Sequence, residues 1–525
     1  MDHLNQLGYP TLGEVVRFVF GAFGVLPEKR DPTPLTDKQR QALRKAINRL
    51  ACEDGELEER FHELGSDLFE LISAHISFPP LHEAMFDIAD EMLGAYKSGL
   101  TSEGTFLGKK DTVRWLLHDR FAIALGVSVA RSITRHGLLG IHNLLALPDD
   151  WYLPTVTTSK VTWPLEKVLR ALYAHAGISQ TEFHYPGRAA DEANADQQRN
   201  LENAQNWTSD RSLPSAAALR WNIQQAFDAR PSDKPGHFSF AKLDTPLHYE
   251  VVQAALLVAR CTTDVCKAIS SGFGTPFLTA VCTRFRQAFD WALAETQQVE
   301  KQILVEAYHY GCSALDPGLR DDIVQRWNSS LSNRTVTAGE VLSNFAEAPG
   351  PDSDMTKRLI QEFGELAVRP MLLIAHQPPI HEAPLNFAQS LGEGLELWKS
   401  SELREEQIDA YEERLKSLSS DQLLPWITHW LRFLVSYRRD DDAAAWRHIA
   451  LAYEHAKYRA GSNQYKIVNH YIEMAAKVQD RVAFRKGVNW ARYLGISVRW
   501  IRDNDASQEN LDFAMAMLRQ VRYGV

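Results

Sequence analysis

Cysteine is scarce. Five thiols, Cys52, Cys261, Cys266, Cys282 and Cys312, are scattered over 525 residues and none forms a Cys-x-x-Cys pair, which argues against a disulfide framework and the commonest zinc spacing. No apolar run approaches the ~18 residues that cross a bilayer. The longest, 121–129 and 251–259, are flanked by charged or polar residues, so no membrane span is expected. A surplus of positive charge is also missing: 57 Lys and Arg against 67 Asp and Glu give a formal net charge of −10, which opposes global attraction to nucleic acid or anionic lipid. The opening Met-Asp-His-Leu-Asn-Gln has neither a basic segment nor a long apolar stretch, and a cytoplasmic location is expected. His-Glu-x-x-His, Gly-x-Ser-x-Gly, the dinucleotide fingerprint and the kinase motifs do not occur. The segment from Gly104 to Lys110 is one residue short of a phosphate loop and follows no predicted strand. No cofactor or metal is therefore expected, and the balance leans away from an enzyme.

What the chain does have is apolar substance. It is 45% hydrophobic, with 23 Phe, 16 Tyr and 13 Trp, enough for several cores, and its length exceeds what one core supports at about 150 residues per unit. Apolar residues recur at spacings of three and four almost everywhere, while sustained period-two alternation is scarce, so the predicted fold class is all-α. The clearest helices are expected at 15–23, 38–50, 57–73, 81–96, 165–176, 249–270, 277–299 and 423–435. Start signals stand at Thr36-Asp37, at Ser419-Ser420-Asp421 and at Pro276. Gly, Pro and short polar residues cluster at 147–154, 185–198, 230–236, 348–354 and 377–384. These breaks suggest an N-terminal helical unit 1–150, a second unit 151–235, a central helical unit 236–350 and a C-terminal helical array 351–525. In the array, helices are expected at 426–437, 443–458, 464–478, 481–493 and 511–521. Small residues at Ala450, Ala452, Ala456, Ala475 and Ala476 permit close helix approach there, similar to tetratricopeptide (TPR) solenoids, although the full repeat signature is missing and an irregular helical bundle fits better.

The second unit carries the one local pattern with a mechanism. An amphipathic helix from Trp163 to Ala176 presents Leu165, Val168, Leu169 and Leu172 as one stripe and ends at Gly177. Ser179 then stands as an N-cap, with Glu182 three residues on as its capping-box partner. Farther along come Trp207, Asp210, Pro214 and Leu219. This order resembles the helix-turn-helix domain of the Cro and phage-repressor (Xre-like) family, in which a Leu-Ser-Gln-like start, a recognition helix and a Trp-x-x-Gly-x-x-x-Pro-x-x-x-x-Leu tail follow one another. Asp210 stands where that family has Gly, and 186–196 lengthens the connection by about ten residues. The resemblance covers about 65 residues and implies a double-stranded DNA ligand. It places Gln180 at the start of the second helix, Gln197, Gln198, Asn200 and Asn203 on or near the recognition helix, and Arg199 and Arg211 within reach of phosphates. Asn and Gln suit bidentate contacts with adenine in the major groove. Between 161 and 230 seven Lys and Arg face eight Asp and Glu, so the unit is electrostatically neutral; a core helical segment with a polar loop accounts for the same residues.

Other constellations are weaker. Arg131-Ser-Ile-Thr-Arg-His136 has the Arg-x4-His spacing that resembles HEPN-type helical ribonucleases, which would make His136 an acid–base group. His82, Glu83, Asp87 and Glu91 share one predicted helix, and His376 stands near His381-Glu382; solvated faces explain both sets better than metal ligation. Cys261, Cys266 and Cys282 sit in apolar surroundings as small hydrophobes. The C-terminal array, with Trp426, Trp430, Phe433 and Trp446, is rich in the residue types that anchor protein interfaces and also fill helical cores. Three functions are therefore carried forward: a DNA-binding helical regulator or assembly subunit with protein partners at its C-terminal helices, a non-enzymatic helical scaffold within a multi-subunit complex such as a bacterial defence system, and a HEPN-like ribonuclease.

Overall fold

A computed structural model describes residues 9–15, 57–73, 79–102, 109–137, 147–158, 160–184, 195–228, 246–376, 385–422, 424–498 and 507–524, with isolated positions in 38–49 and Ile501. The helix expected at 15–23 and most of that at 38–50 lie outside the described residues, as do the start signal at Thr36-Asp37 and Cys52. Within the described residues the fold is all-α with one small exception, a two-residue antiparallel pair of β1 (Thr155–Val156) and β2 (Val161–Thr162). No helix there is long and apolar enough to cross a membrane.

The first helices are α1 (Leu57–Ser73), α2 (Pro79–Ser102) and α3 (Lys109–Trp115), the last running through a π-helical stretch at Leu116–Phe121 into α4 (Ala122–Arg135). Beyond the β pair come α5 (Pro164–Ala176), α6 (Gln180–His184), α7 (Ala195–Thr208), α8 (Ala216–Asp228) and α9 (Pro246–Phe273). A long hairpin follows, α10 (Thr275–Tyr310) and α11 (Pro317–Ser343), and then α12 (Asp354–Phe363) and α13 (Glu365–Ala375). The C-terminal helices are α14 (Leu385–Lys399), α15 (Glu405–Ser417), α16 (Pro425–Arg438), α17 (Asp442–Ala456), α18 (Gln464–Lys477), α19 (Arg481–Tyr493) and α20 (Gln508–Leu518).

Local sequence explains most of the boundaries. Proline stands in the first turn of α5, α10, α11 and α16, where its missing N–H costs nothing. Asp316, Ser353, Asp441, Asp480 and Ser507 cap their helices by accepting a backbone N–H. Gly177 and Gly311 end α5 and α10 in the left-handed conformation that a side chain disfavours. The start signal at Ser419-Ser420-Asp421 works differently from expectation. Ser419 (φ 54°) closes the preceding helix α15, and Pro425 opens α16 with Leu424 at the N-cap. The break expected at 185–198 is also shorter on its C-terminal side, because α7 already begins at Ala195.

The cores cross the sequence intervals. One large core joins Tyr9, Leu12, Leu64, Leu93, Tyr96, Leu100 and Leu116 to side chains of the C-terminal helices from Phe387 to Leu518. Tyr9 is held there by two hydrogen bonds, its hydroxyl donating to the Tyr96 carbonyl and its N–H to the Tyr458 carbonyl, and the Tyr96 hydroxyl donates to the carbonyl of the adjacent Pro10. A second core unites α5–α8 with Val251, Val252, Ala255, Leu256 and Ala259 of α9, so α9 closes the unit that carries the helix-turn-helix resemblance. A third joins α4 to α9 and α10. Successive C-terminal helices pack on one another from α16 to α19.

α4 and α10 approach so closely that a Cβ on Gly126 would stand 2.7 Å from the Phe285 carbonyl oxygen and 2.8 Å from the Phe289 nitrogen. Only glycine permits that crossing. At the C-terminal end of α4 the Arg320 side chain, 4% exposed, donates to both carboxylate oxygens of Glu300 (2.6 and 2.9 Å) and to the carbonyls of Thr134 (2.5 Å) and Ala314 (2.6 Å). One guanidinium thus ties α4, α10 and α11 together. Removing it strands a partly buried carboxylate, so Arg320→Met is expected to cost roughly 3–5 kcal/mol, and Arg320→Met with Glu300→Leu clearly less. Denaturant midpoints of the two variants check this; a single variant no less stable than the double one contradicts it.

Candidate nucleic-acid interface

α5 starts at Pro164 after the extended Trp163 and stops where Gly177 (φ 69°) donates to the carbonyls of Tyr173 and Ala174. The reciprocal capping box follows: the Ser179 N–H donates to Glu182 Oε2 (2.9 Å) and the Glu182 N–H to Ser179 Oγ (3.2 Å), which starts the short α6. Phe183 of α6 then enters the core beside Leu169, Leu172 and Trp207.

The burial of α7 alternates with helical period. Asn200, Ala204 and Trp207 face inward at 2%, 0% and 6% exposure, while Gln198, Arg199, Glu202, Gln205 and Ser209 face solvent. Asn200 is therefore corrected: it belongs to the interior. Its carbonyl accepts from Asn222 Nδ2 of α8 at 2.9 Å, and no DNA contact is open to its side chain. Gln180 is half-buried and donates to Thr208 Oγ1 of α7 at 3.1 Å, so it joins two helices. Asn203 is half-buried, Arg211 is exposed, and the side chain of Gln197 lies outside the described residues. Gln198 donates to Glu202 Oε1 at 3.3 Å. Glu202, Gln205, Asn206, Ser209 and Arg211 line a shallow polar groove of about 450 Å³ along the outer side of α7.

Glu202, Gln205, Asn206 and Ser209 were missed by sequence reasoning, although a signal existed. Trp207 is large and apolar, and counting back three and seven residues from it reaches Ala204 and Asn200. The same phase sends 198, 202, 205 and 209 outward.

Two arrangements hold this unit together. The Tyr173 hydroxyl lies 2.9 Å from His184 Nε2; burial pushes Tyr173 well above its ordinary range and His184 down to about 3, so the hydrogen bond joins two uncharged groups. At the end of α7, Asp210 adopts φ 63°, and the N–H of Arg211 bonds to the Asn206 carbonyl. The Asp210 carboxylate accepts from Trp163 Nε1 (2.9 Å) and pairs with Lys267 of α9, whose ammonium lies 5.6 Å from the centre of the Trp163 ring.

Elsewhere the structure joins groups that looked unrelated in sequence. Arg131 pairs with Glu91 (2.7 Å), Arg135 with Asp87 (2.8 Å) and Asp321 (2.6 Å), and His136 lies between Glu83 (3.2 Å) and Asp87 (3.1 Å). Burial pushes the Asp87 carboxyl up, but its hydrogen bond with His136 and the Arg135 charge outweigh this and hold it below the usual range. Both ring nitrogens of His136 are thus engaged, and its side chain is 8% exposed. The cluster binds α2 to α4 rather than presenting an acid–base pair to a substrate. His82 is buried, and His376 Nε2 lies 2.7 Å from the Pro349 carbonyl oxygen, while His381 and Glu382 lie outside the described residues. Cys261 and Cys266 are buried; burial pushes the Cys261 thiol up to about 11. Among the described residues no group of three or more His, Cys, Asp or Glu is arranged to hold a metal ion.

Three imidazoles stack at the α16–α17 contact: His429 lies 6.0 Å from His448 and 5.6 Å from His455, centre to centre. Burial lowers His429 to about 4, helped by the charges of His455, His448 and Arg432 and opposed by Glu412. His448 and His455 are also lowered, first by burial; Arg432, Arg447 and Arg459 add to this, while Glu405, Asp441 and Glu454 oppose it. Compared with known protein families, curated proteins and solved structures, the chain matches none.

The histidines give a pH prediction with a definite sign. In the unfolded chain they take up protons near the ordinary value of 6.5, whereas the folded state keeps them neutral until about 4 for His429. Stability is full above about pH 6.5 and falls as pH drops toward about 4, because the unfolded state binds more protons. Thermal midpoints measured across that range should decline, and His429→Asn should flatten the slope; an unchanged slope in the variant would remove His429 from the account.

Proposed function

We propose that this chain is a DNA-binding helical regulator or assembly subunit that engages duplex DNA with the outer side of α7. The observation that carries the reading is the two-sidedness of that helix. Trp207 and Ala204 anchor it to the core, and its outer side offers Gln198, Arg199 and Gln205 beside the groove that ends at Arg211. A helix of 14 residues is about 21 Å long, which fits a major groove, and side-chain amides suit the donor–acceptor edge of adenine. The left-handed Asp210 supports the resemblance further, since its φ of 63° is what a glycine at that tail position readily supplies.

Electrostatics sets the expected strength. With Arg199 and Arg211 as the cations near the groove and Glu202 between them, few phosphates are neutralised, so affinity is modest and the salt slope shallow, on the order of −2. Gln198→Ala with Gln205→Ala should cost about 1–3 kcal/mol on a preferred sequence, and Arg211→Ala should weaken all sequences alike while reducing the slope by about one. Fluorescence anisotropy with duplex DNA between about 50 and 200 mM salt measures both. No binding by the parent chain at the lowest salt rejects the reading.

The second reading, a non-enzymatic scaffold within a multi-subunit complex, is favoured by one feature: several apolar side chains at the α10–α11 turn face solvent. It keeps α5–α9 as a packing unit. Protein partners at the C-terminal helices belong to both readings.

A further inference from the structure

Five of the thirteen large apolar side chains exposed among the described residues fall within 304–315: Leu304 (54%), Val305 (56%), Tyr308 (86%), Tyr310 (74%) and Leu315 (67%). They sit where α10 ends and turns into α11. Gly311 (φ 64°) makes the turn, with the Cys312 N–H bonded to the Ala307 carbonyl and Asp316 capping α11. Ile303 and Ala307 of α10 are buried at 0% and 4%, so α10 spends its inward stripe on the hairpin and still presents Leu304, Val305 and Tyr308 on another side, while Tyr310 is exposed in the uncovered last turn. Hairpin packing does not need that exposed side.

We infer that this turn is a self-association surface, where the same patch of a second copy docks to form a two-fold dimer. Size supports this occupant. Counting each exposed Tyr as roughly 150–200 Å² and each aliphatic side chain as about half that, the patch offers roughly 600 Å² per copy, at the upper end of the largest apolar patch a monomer usually shows. Two such patches bury about 1,200 Å² in total, within reach of the smallest specific interfaces.

The charge pattern argues the same way. The five patch side chains carry no ionised group. Of the flanking charges, Arg326 pairs with Glu306 (2.9 Å) and Asp322 (3.0 Å) and Arg320 with Glu300 (2.6 Å), while Lys301, exposed one turn before Leu304 and Val305, forms no ion pair among the described residues. A nucleic acid or an anionic surface finds a single unpaired cation, Lys301, at the patch, too little charge to hold either, while a copy of the chain meets no concentrated like charge despite the net −10. An apolar patch facing itself across a two-fold axis is self-complementary without further design. The inference stands apart from the DNA reading, because α7 contributes nothing to it.

Sedimentation velocity and light scattering from low to high micromolar protein test it. The expected mass is twice 59.4 kDa at the upper end. Tyr308→Glu with Leu315→Glu should return it to one copy with an unchanged thermal midpoint, since both positions are exposed. Cys312, exposed beside the patch, provides a second readout. A short bismaleimide should join two chains of the parent protein, and Cys312→Ser or the double glutamate variant should abolish the product. A chain that stays monomeric at the highest concentration assigns the patch to a different protein and overturns the inference; so does a dimer unmoved by the glutamates.

Discussion

The Arg320 guanidinium is the constraint on which the centre of the molecule depends. Its donors reach the Glu300 carboxylate and the carbonyls of Thr134 and Ala314, so the end of α4, the middle of α10 and the start of α11 share one fixed point. A buried charge tolerates no slack, because each unmade hydrogen bond costs its full desolvation. Gly126 sets the spacing of the same helices by sterics alone, through its contact with the α10 backbone. Between them, α10 is fixed from Phe285 to Glu300, and its last turns leave Leu304, Tyr308 and Tyr310 exposed.

The unit spanning α5–α9 follows a different logic, in which polar groups are placed inside a small core. Tyr173, His184, Asn200 and Asn222 lie on four helices and are all nearly inaccessible to water. The Tyr173–His184 and Asn222–Asn200 hydrogen bonds offset part of the cost of burying them, while His184 Nδ1, Asn200 Oδ1 and Asn222 Oδ1 lack a partner among the described residues, so only a packing that keeps these two bonds is favourable. Asp210 adds an outside brace, linking α7 to Trp163 and to Lys267. The resulting rigidity orients the outward row of α7 relative to the rest of the unit, whatever that row meets.

Local rules recovered much of this from sequence. The helices at 57–73, 165–176 and 481–493 were legible because their apolar stripes, and in α5 the glycine stop, are strong and near in sequence. The Ser179–Glu182 box was legible for the same reason. What stayed hidden was long-range pairing. Glu83, Asp87 and Glu91 read as one solvated face and Arg131 with His136 as a separate motif, yet each completes the other across α2 and α4. The inward Asn200 misled because amide chemistry suggested a reader of bases, while the phase set by Trp207 already placed it beneath the surface. Compositional breaks were no guide to which segments share a core, since residues such as Leu100 and Leu116 join the core of the C-terminal helices as well as packing with their sequence neighbours.

That last arrangement has a consequence for synthesis. Tyr9, Tyr96, Leu100 and Leu116 emerge early from a ribosome, but the side chains that cover them begin at Phe387. At typical elongation rates the intervening stretch takes roughly 15–50 s to appear. Throughout that interval the early helices carry an uncovered apolar side, so nascent chains offer a holding chaperone a defined target, and translation pauses between these segments lengthen the exposure. The α5–α9 unit, whose core residues all lie between 147 and 259, completes itself much sooner. Vectorial production therefore completes the core within 147–259 before the one that Tyr9, Tyr96, Leu100 and Leu116 share with the C-terminal helices.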